Sequence, residues 1–290
     1  MDLGQASILT AMVTPFDDQG AVDYKKLPNL IEYLLAHHTE GLIVSGTTGE
    51  SPTLSQDEAL RLFAATVEIV AGRVPIICGV GSNNTYVTCE FIKKVAKIEG
   101  VTAGLVVVPY YNKPNQEGLY QHFKAVAEAS ELPIMLYNVP SRTSVNMEVA
   151  TTLRLAALPN VIGTKDCSGA DALALIKAHA PDDFLLFSGD DAMAFTAKTL
   201  GAQGIISVAS HVIGDEMFAM YQLIEQGALA EASAIHAQLL PKMQAVFSVP
   251  SPAPIKAILN HRGIDVGGLR LPLVACTPTE KENILMILNK

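Results

Sequence analysis

The 290-residue chain is 49% hydrophobic and 17% charged, which supplies apolar material for one large core rather than several small ones. Its formal net charge of -9, unbroken by any run of Lys and Arg, repels polyanions on average and argues against a nucleic-acid or anionic-membrane surface. No apolar stretch approaches the about 20 residues of a bilayer span, Asp2 stands where a secretory leader would be basic, and four cysteines without a CxxC spacing read as reduced thiols, so a cytoplasmic address is expected.

From Ile8 to about Val208, short apolar runs alternate with amphipathic segments. Runs without polar alternation are what parallel strands need when both faces are covered. The pattern predicts strands over 8–13, 41–44, 75–79, 104–109, 133–137, 161–165, 184–188 and 204–208, with helices between them such as 23–37 and 56–71. At the head of the second of those helices, Ser55 and Glu58 have the spacing of a capping box. Eight strand and helix units predict an α/β fold, a (β/α)8 TIM barrel. After 208 the strand signals fade, and Gly214, Gly227, Pro250, Pro252 and Pro254 punctuate helical sequence. Two units are expected, a catalytic barrel over residues 1–225 and a C-terminal helical appendage over 226–290.

Chemistry in such a barrel gathers where the strands end. The sixth run ends at Lys165, and a buried amine is held toward its neutral form, which can attack a ketone and form an imine. The fifth run ends at Tyr137, a phenol, with Arg142 five positions on as a planar fork for a carboxylate. Each also has an ordinary reading, since a strand-end lysine can send its head into solvent along an apolar stem and an arginine can serve a surface ion pair. The second exit, from Ser45 to Pro52, is a glycine- and hydroxyl-rich turn, either a cradle for a small carboxylate or simply a tight turn. It lacks the Gly-Lys-Ser/Thr ending of a P-loop.

At the fourth exit, Tyr110 and Tyr111 could relay protons or merely cover the rim. Asp190 and Asp191 follow the seventh strand, where a helix should begin, and read as helix N-terminal residues rather than a metal pair. The seven histidines show no zinc spacing, so no metal is expected, and Cys167 reads as a small core residue.

Taken in order, Gly46-Thr47-Thr48-Gly49-Glu50, Tyr110-Tyr111-Asn112, the run from Tyr137 to Thr143, Gly163-Thr164-Lys165-Asp166 and Ser188-Gly189-Asp190-Asp191 resemble the dihydrodipicolinate synthase family of pyruvate-dependent lysine aldolases. The likeness runs from near residue 8 to the C-terminal helices. It implies a lyase that condenses pyruvate with aspartate-4-semialdehyde through a lysine Schiff base, on the route to diaminopimelate and lysine, with no metal or organic cofactor. Carried onto matching positions, the resemblance gives Lys165 the imine and Tyr137 the acid and base beside it. Thr47 then links Tyr137 to Tyr111, which comes from a neighbouring subunit of a homotetramer built as a dimer of dimers. Thr48 and its turn hold the pyruvate carboxylate, Ile206 contributes backbone nearby, and Arg142 holds the carboxylate of the semialdehyde.

Related aldolases, such as N-acetylneuraminate lyase and keto-deoxy sugar acid aldolases, would use the same lysine and tyrosine. A barrel that binds a metabolite without turnover is the alternative of a different class. Lysine-inhibited relatives often carry histidines and a glutamate where Gln56, Ala59 and Val87 stand here, so weak or absent lysine feedback is expected. Ser210-His211 is a second departure, from an alanine-asparagine pair, and the sequence assigns it no effect.

Overall fold

Each expected apolar run forms a strand in the computed structural model, which describes residues 2–289. β1 (Ile8–Ala11), β2 (Gly41–Val44), β3 (Ile76–Gly79), β4 (Ala103–Val107), β5 (Ile134–Asn138), β6 (Val161–Asp166), β7 (Leu185–Ser188) and β8 (Gly204–Ser207) pair in chain order, all parallel. β8 returns to pair with β1, so the sheet closes as a (β/α)8 barrel. Every residue of β1, β2, β5 and β8 is buried, which is why these runs lack alternation: one face lines the barrel and the other meets the helices.

The covering helices are α1 (Leu27–Ala36), α2 (Gln56–Val70), α3 (Thr85–Val95), α4 (Gln116–Glu128), the single turn α5 (Pro140–Thr143), α6 (Val149–Ala156), α7 (Ala170–His179), α8 (Ala194–Thr199) and α9 (Ser210–Glu225). α1 starts four residues later than its amphipathic pattern, because Pro28 has no N–H for a preceding turn and fits only near a helix start. The Ser55 capping box forms, with Ser55 Oγ accepting from Glu58 N–H and the Glu58 carboxylate accepting from Ser55 N–H at 2.9 Å.

α10 (Leu229–Ala245) packs along α9, α12 (Pro278–Leu288) along α10, and α11 (Ala253–His261) against both α9 and α12. α9 ends at Glu225 and α10 begins at Leu229, and we propose the border between barrel and appendage at 225/226. Met1 and Lys290, the outermost residues of the two units, lie outside the described residues. Among the described residues, no helix is long and apolar enough to cross a membrane.

Candidate active site

β5 and β6 bring together the phenol and the amine. Their register begins at Ile134 opposite Val161, shifts by one residue between Ile134 and Met135, and so sets Tyr137 opposite Lys165 and Asn138 opposite Asp166. Without that bulge Tyr137 would face Thr164, whose side chain belongs to the other face of the strand. Lys165 is 6% exposed, and its Nζ lies 4.4 Å from the centre of the Tyr137 ring. The head of the lysine is therefore shielded from bulk water rather than carried into it. Room for its stem comes from the β7 exit, where a Cβ on Gly189 would stand 2.6 Å from Lys165 Cε and 2.5 Å from Cys167 Sγ.

The opposite face of the same rungs carries a polar brace that sequence reasoning missed. Asn138 Nδ2 donates to Asp166 Oδ2 at 3.0 Å and to Met147 O at 3.2 Å, while its Oδ1 accepts from Met147 N–H at 3.1 Å. The other Asp166 oxygen accepts from Ser168 N–H at 2.7 Å and from the Ser168 hydroxyl. The loops after β5 and β6 are thus pinned just beyond the phenol and the amine. The available signal was a polar residue directly after Tyr137 and after Lys165, at the end of runs that are mostly apolar.

Beyond β2 the turn expected to hold a carboxylate is closed on itself. Ser51 N–H bonds Gly46 O at 3.2 Å, Glu50 N–H bonds Thr47 O at 3.1 Å, and the Thr14 hydroxyl donates to Gly49 O at 2.6 Å. Thr47 is half-buried and Thr48 buried. Ser45 and Glu50 both take left-handed backbone, with φ of 53° and 57°. Such strain at non-glycine residues persists only where the surroundings hold it.

At the β4 exit the two tyrosines part company. Tyr110 is 39% exposed and borders the mouth cavity, whereas Tyr111, with φ of 74°, is 88% exposed. The loop carrying them is held by Asn112 Nδ2 donating to Asn83 O at 3.0 Å and Asn83 Nδ2 donating to Tyr110 O at 3.2 Å. Among the described residues, no hydrogen bond joins Thr47, Tyr111 and Tyr137 within the chain.

Arg142, exposed on α5, and Thr47 border one cavity of about 430 Å3, which Gln56, Ala59 and Val87 also line. No carboxylate lines it among the described residues. Ile206 is fully buried in β8 opposite Leu9. Cys167 is no rival nucleophile, because burial pushes its thiol up to about 12 despite Lys165 nearby.

Of the acidic pair after β7, one residue follows expectation and the other departs from it. Asp190 does cap the short 3₁₀ turn 191–193, accepting from Ala192 N–H at 3.0 Å. Asp191, fully buried, instead reaches across to β8, accepting from the Ser207 hydroxyl and from Val208 and Ala209 N–H at 3.0 and 3.2 Å. The unpaired donors at the start of α9 claim it, since burial raises its pKa and leaves an unpartnered carboxylate costly there.

The family whose model matches residues 5–290 is described as the dihydrodipicolinate synthetase family. The chain belongs to that family. It is 61% identical over 288 residues to the 4-hydroxy-tetrahydrodipicolinate synthase of Enterococcus faecalis, with 99% of each chain covered. The crystal structure of a dihydrodipicolinate synthase from Bacillus anthracis superposes with a TM-score of 0.96 at 44% identity, covering 99% of this chain and 98% of that one. The Cyanidioschyzon merolae enzyme, crystallised with lysine bound, gives 0.94 at 39% identity, covering 99% of both. Membership makes this chain a Schiff-base-forming lyase and sets aside the sugar-acid aldolase and binding-only readings.

Proposed function

We propose that this chain condenses pyruvate with aspartate-4-semialdehyde, the 4-hydroxy-tetrahydrodipicolinate synthase reaction, in the cytoplasm and without a metal or organic cofactor. The observation that carries the reading is the shielded Lys165 Nζ, 4.4 Å from the Tyr137 ring centre. The neutral amine adds to the ketone carbon of pyruvate and water leaves, giving an imine. Loss of a methyl proton then gives an enamine, whose terminal carbon attacks the aldehyde carbon of the second substrate. Tyr137 carries protons to and from these centres. The N–H groups and hydroxyls of the turn with Thr48 hold the pyruvate carboxylate, with Ile206 backbone nearby, and Arg142 takes the carboxylate of the semialdehyde from the mouth cavity.

Thr47 passes protons between Tyr137 and the Tyr111 of a neighbouring subunit, in a tetramer made of two dimers. Supporting this is the state of Tyr111 itself, a bulky exposed ring on a left-handed backbone held in place by the Asn83 and Asn112 side chains. Weak lysine feedback has support in the same cavity, where a cationic amino acid would meet Gln56, Ala59, Val87 and Arg142 but no carboxylate.

Incubation with pyruvate and borohydride, followed by peptide mapping, tests the chemistry. A reduced adduct on Lys165 is expected, and its absence would overturn the reading. The shared site is tested by mixing Lys165→Ala with Tyr111→Phe subunits. Activity above that of either variant alone is expected; none would remove Tyr111 from the neighbour's site.

A further inference from the structure

The turn that ends β2 is gripped from the other end of the chain. Glu50 closes it and is 0% exposed, and its Oε1 lies 2.7 Å from Nζ of Lys256, which is 1% exposed on α11. The same ammonium donates to Gly268 O at 2.7 Å and sits 4.1 Å from the centre of the Phe16 ring. Glu50 Oε2 accepts from Arg270 N–H at 3.0 Å, so both of its oxygens are held by the segment that begins at α11. Arg270 extends the grip, bonding Thr53 O at 2.7 Å and the Glu58 carboxylate at 2.5 and 3.0 Å. Glu50 N–H in turn bonds Thr47 O, which couples the carboxylate's position to the backbone of the turn that carries Thr47 and Thr48.

A fully buried ion pair is a poor means of stabilising a fold, because desolvation offsets most of the attraction and apolar residues of similar volume often do as well. What it supplies is a fixed position: a carboxylate that must stay with one ammonium cannot slide as an apolar contact can. We propose that Lys256 and Glu50 are positioning residues for the condensation, their ion pair letting the C-terminal helical segment set the shape of the turn that receives the keto-acid carboxylate. This rests on assigning that turn to pyruvate. Both side chains are closed off from the mouth, at 0% and 1% exposure, so they act through the turn. Removal of the ammonium leaves Glu50 buried with one backbone N–H as donor, so the carboxylate must turn toward water or take a proton. The Thr47 carbonyl and the N–H groups of the turn then move with it.

The experiment measures the pyruvate concentration that gives half-maximal borohydride trapping on Lys165, together with Tm, for the full-length wild type, Lys256→Met, Glu50→Asp and the double variant Glu50→Gln/Lys256→Met. Lys256→Met is expected to raise that concentration roughly tenfold or more, the scale of effect when a binding group is displaced by a fraction of an ångström to an ångström. The double variant removes the stranded charge and is expected to recover part of the loss. Glu50→Asp keeps both charges but shortens the reach, and decides the matter if Lys256→Met does not fold. Variants that lose Tm yet trap pyruvate at the wild-type concentration would overturn the positioning role. A wild-type chain that forms no adduct at all would overturn the assignment of the site, a distinguishable failure.

Discussion

Tyr137 and Lys165 stand on one rung of the β5–β6 ladder, and the bulge below it, between Ile134 and Met135, is what makes them partners. Backbone pairing fixes where both side chains start, which is what the proposed exchange of protons between phenol and amine-bound intermediates requires. The Tyr137 hydroxyl makes no hydrogen bond to its own chain among the described residues, so it is available for that work.

Tyr137→Phe keeps the ring beside Lys165 Nζ and removes only the hydroxyl. The expected outcome is a fall in kcat of about 10²- to 10⁴-fold, the usual weight of a general acid and base, with Tm essentially unchanged. Steady-state rates and a thermal melt check it. Turnover within about threefold of wild type would show that protons travel by another route.

Arg142 lies on the exposed turn α5, and its guanidinium forms no ion pair in the chain among the described residues. Arg142→Ala is therefore expected to leave the fold and imine trapping intact while raising the semialdehyde KM by about tenfold or more and lowering turnover, as loss of a two-point carboxylate contact requires. Unchanged semialdehyde kinetics would separate this residue from the second substrate.

The barrel was legible because buried parallel strands write themselves as unbroken apolar runs, and β2 falls on 41–44 as read. The β1 run was read two residues too long for a physical reason. Met12 still bonds Ile43 O, but Val13 N–H turns to the side chain of His211, so apolar sequence continues where the ladder has stopped. Lys165 and Tyr137 could be read as strand ends, but their pairing could not, since a one-residue bulge decides it and no local pattern announces one. The Glu50 and Lys256 pair was out of reach for a related cause: its partners lie 206 positions apart and each looks, in its own neighbourhood, like an ordinary surface charge.

Gly189 carries a prediction that separates packing from catalysis. Its backbone is not left-handed, so alanine is conformationally acceptable there, yet the added Cβ would meet Lys165 Cε at 2.6 Å and Cys167 Sγ at 2.5 Å. The far end of the lysine is the part that can yield. Gly189→Ala is expected to cost at least about tenfold in kcat, with a smaller effect on Tm than on the rate, because an ångström of misplacement at the amine is amplified in the reaction. Wild-type trapping by pyruvate and borohydride would show that the stem has other room.

His211 received no function from the sequence, and its bonds give it one. Its Nε2 accepts from Val13 N–H at 3.2 Å and its Nδ1 donates to Val208 O at 2.8 Å, so the ring is neutral with its proton on Nδ1 and ties the exits of β1 and β8 across the closing seam. Burial holds its pKa down from 6.5 to about 4. The unfolded chain takes up this proton below about pH 6.5, whereas the folded chain resists it down to about pH 4. Stability from this residue is therefore complete above about 6.5 and is lost as pH falls toward 4, by about 1.4 kcal/mol per pH unit across that window. His122, buried and shifted the same way, contributes a parallel loss that a change at 211 leaves in place. His211→Asn retains an acceptor and a donor but cannot titrate. Its unfolding free energy from urea melts at pH 7 is expected near that of wild type, while that of His211→Ala falls by about 1–3 kcal/mol through the unpaired Val13 N–H and Val208 O. Between pH 7 and 5 the asparagine variant should lose roughly 2 kcal/mol less than wild type. Parallel pH curves for the two would mean that the seam is held by something other than a neutral imidazole.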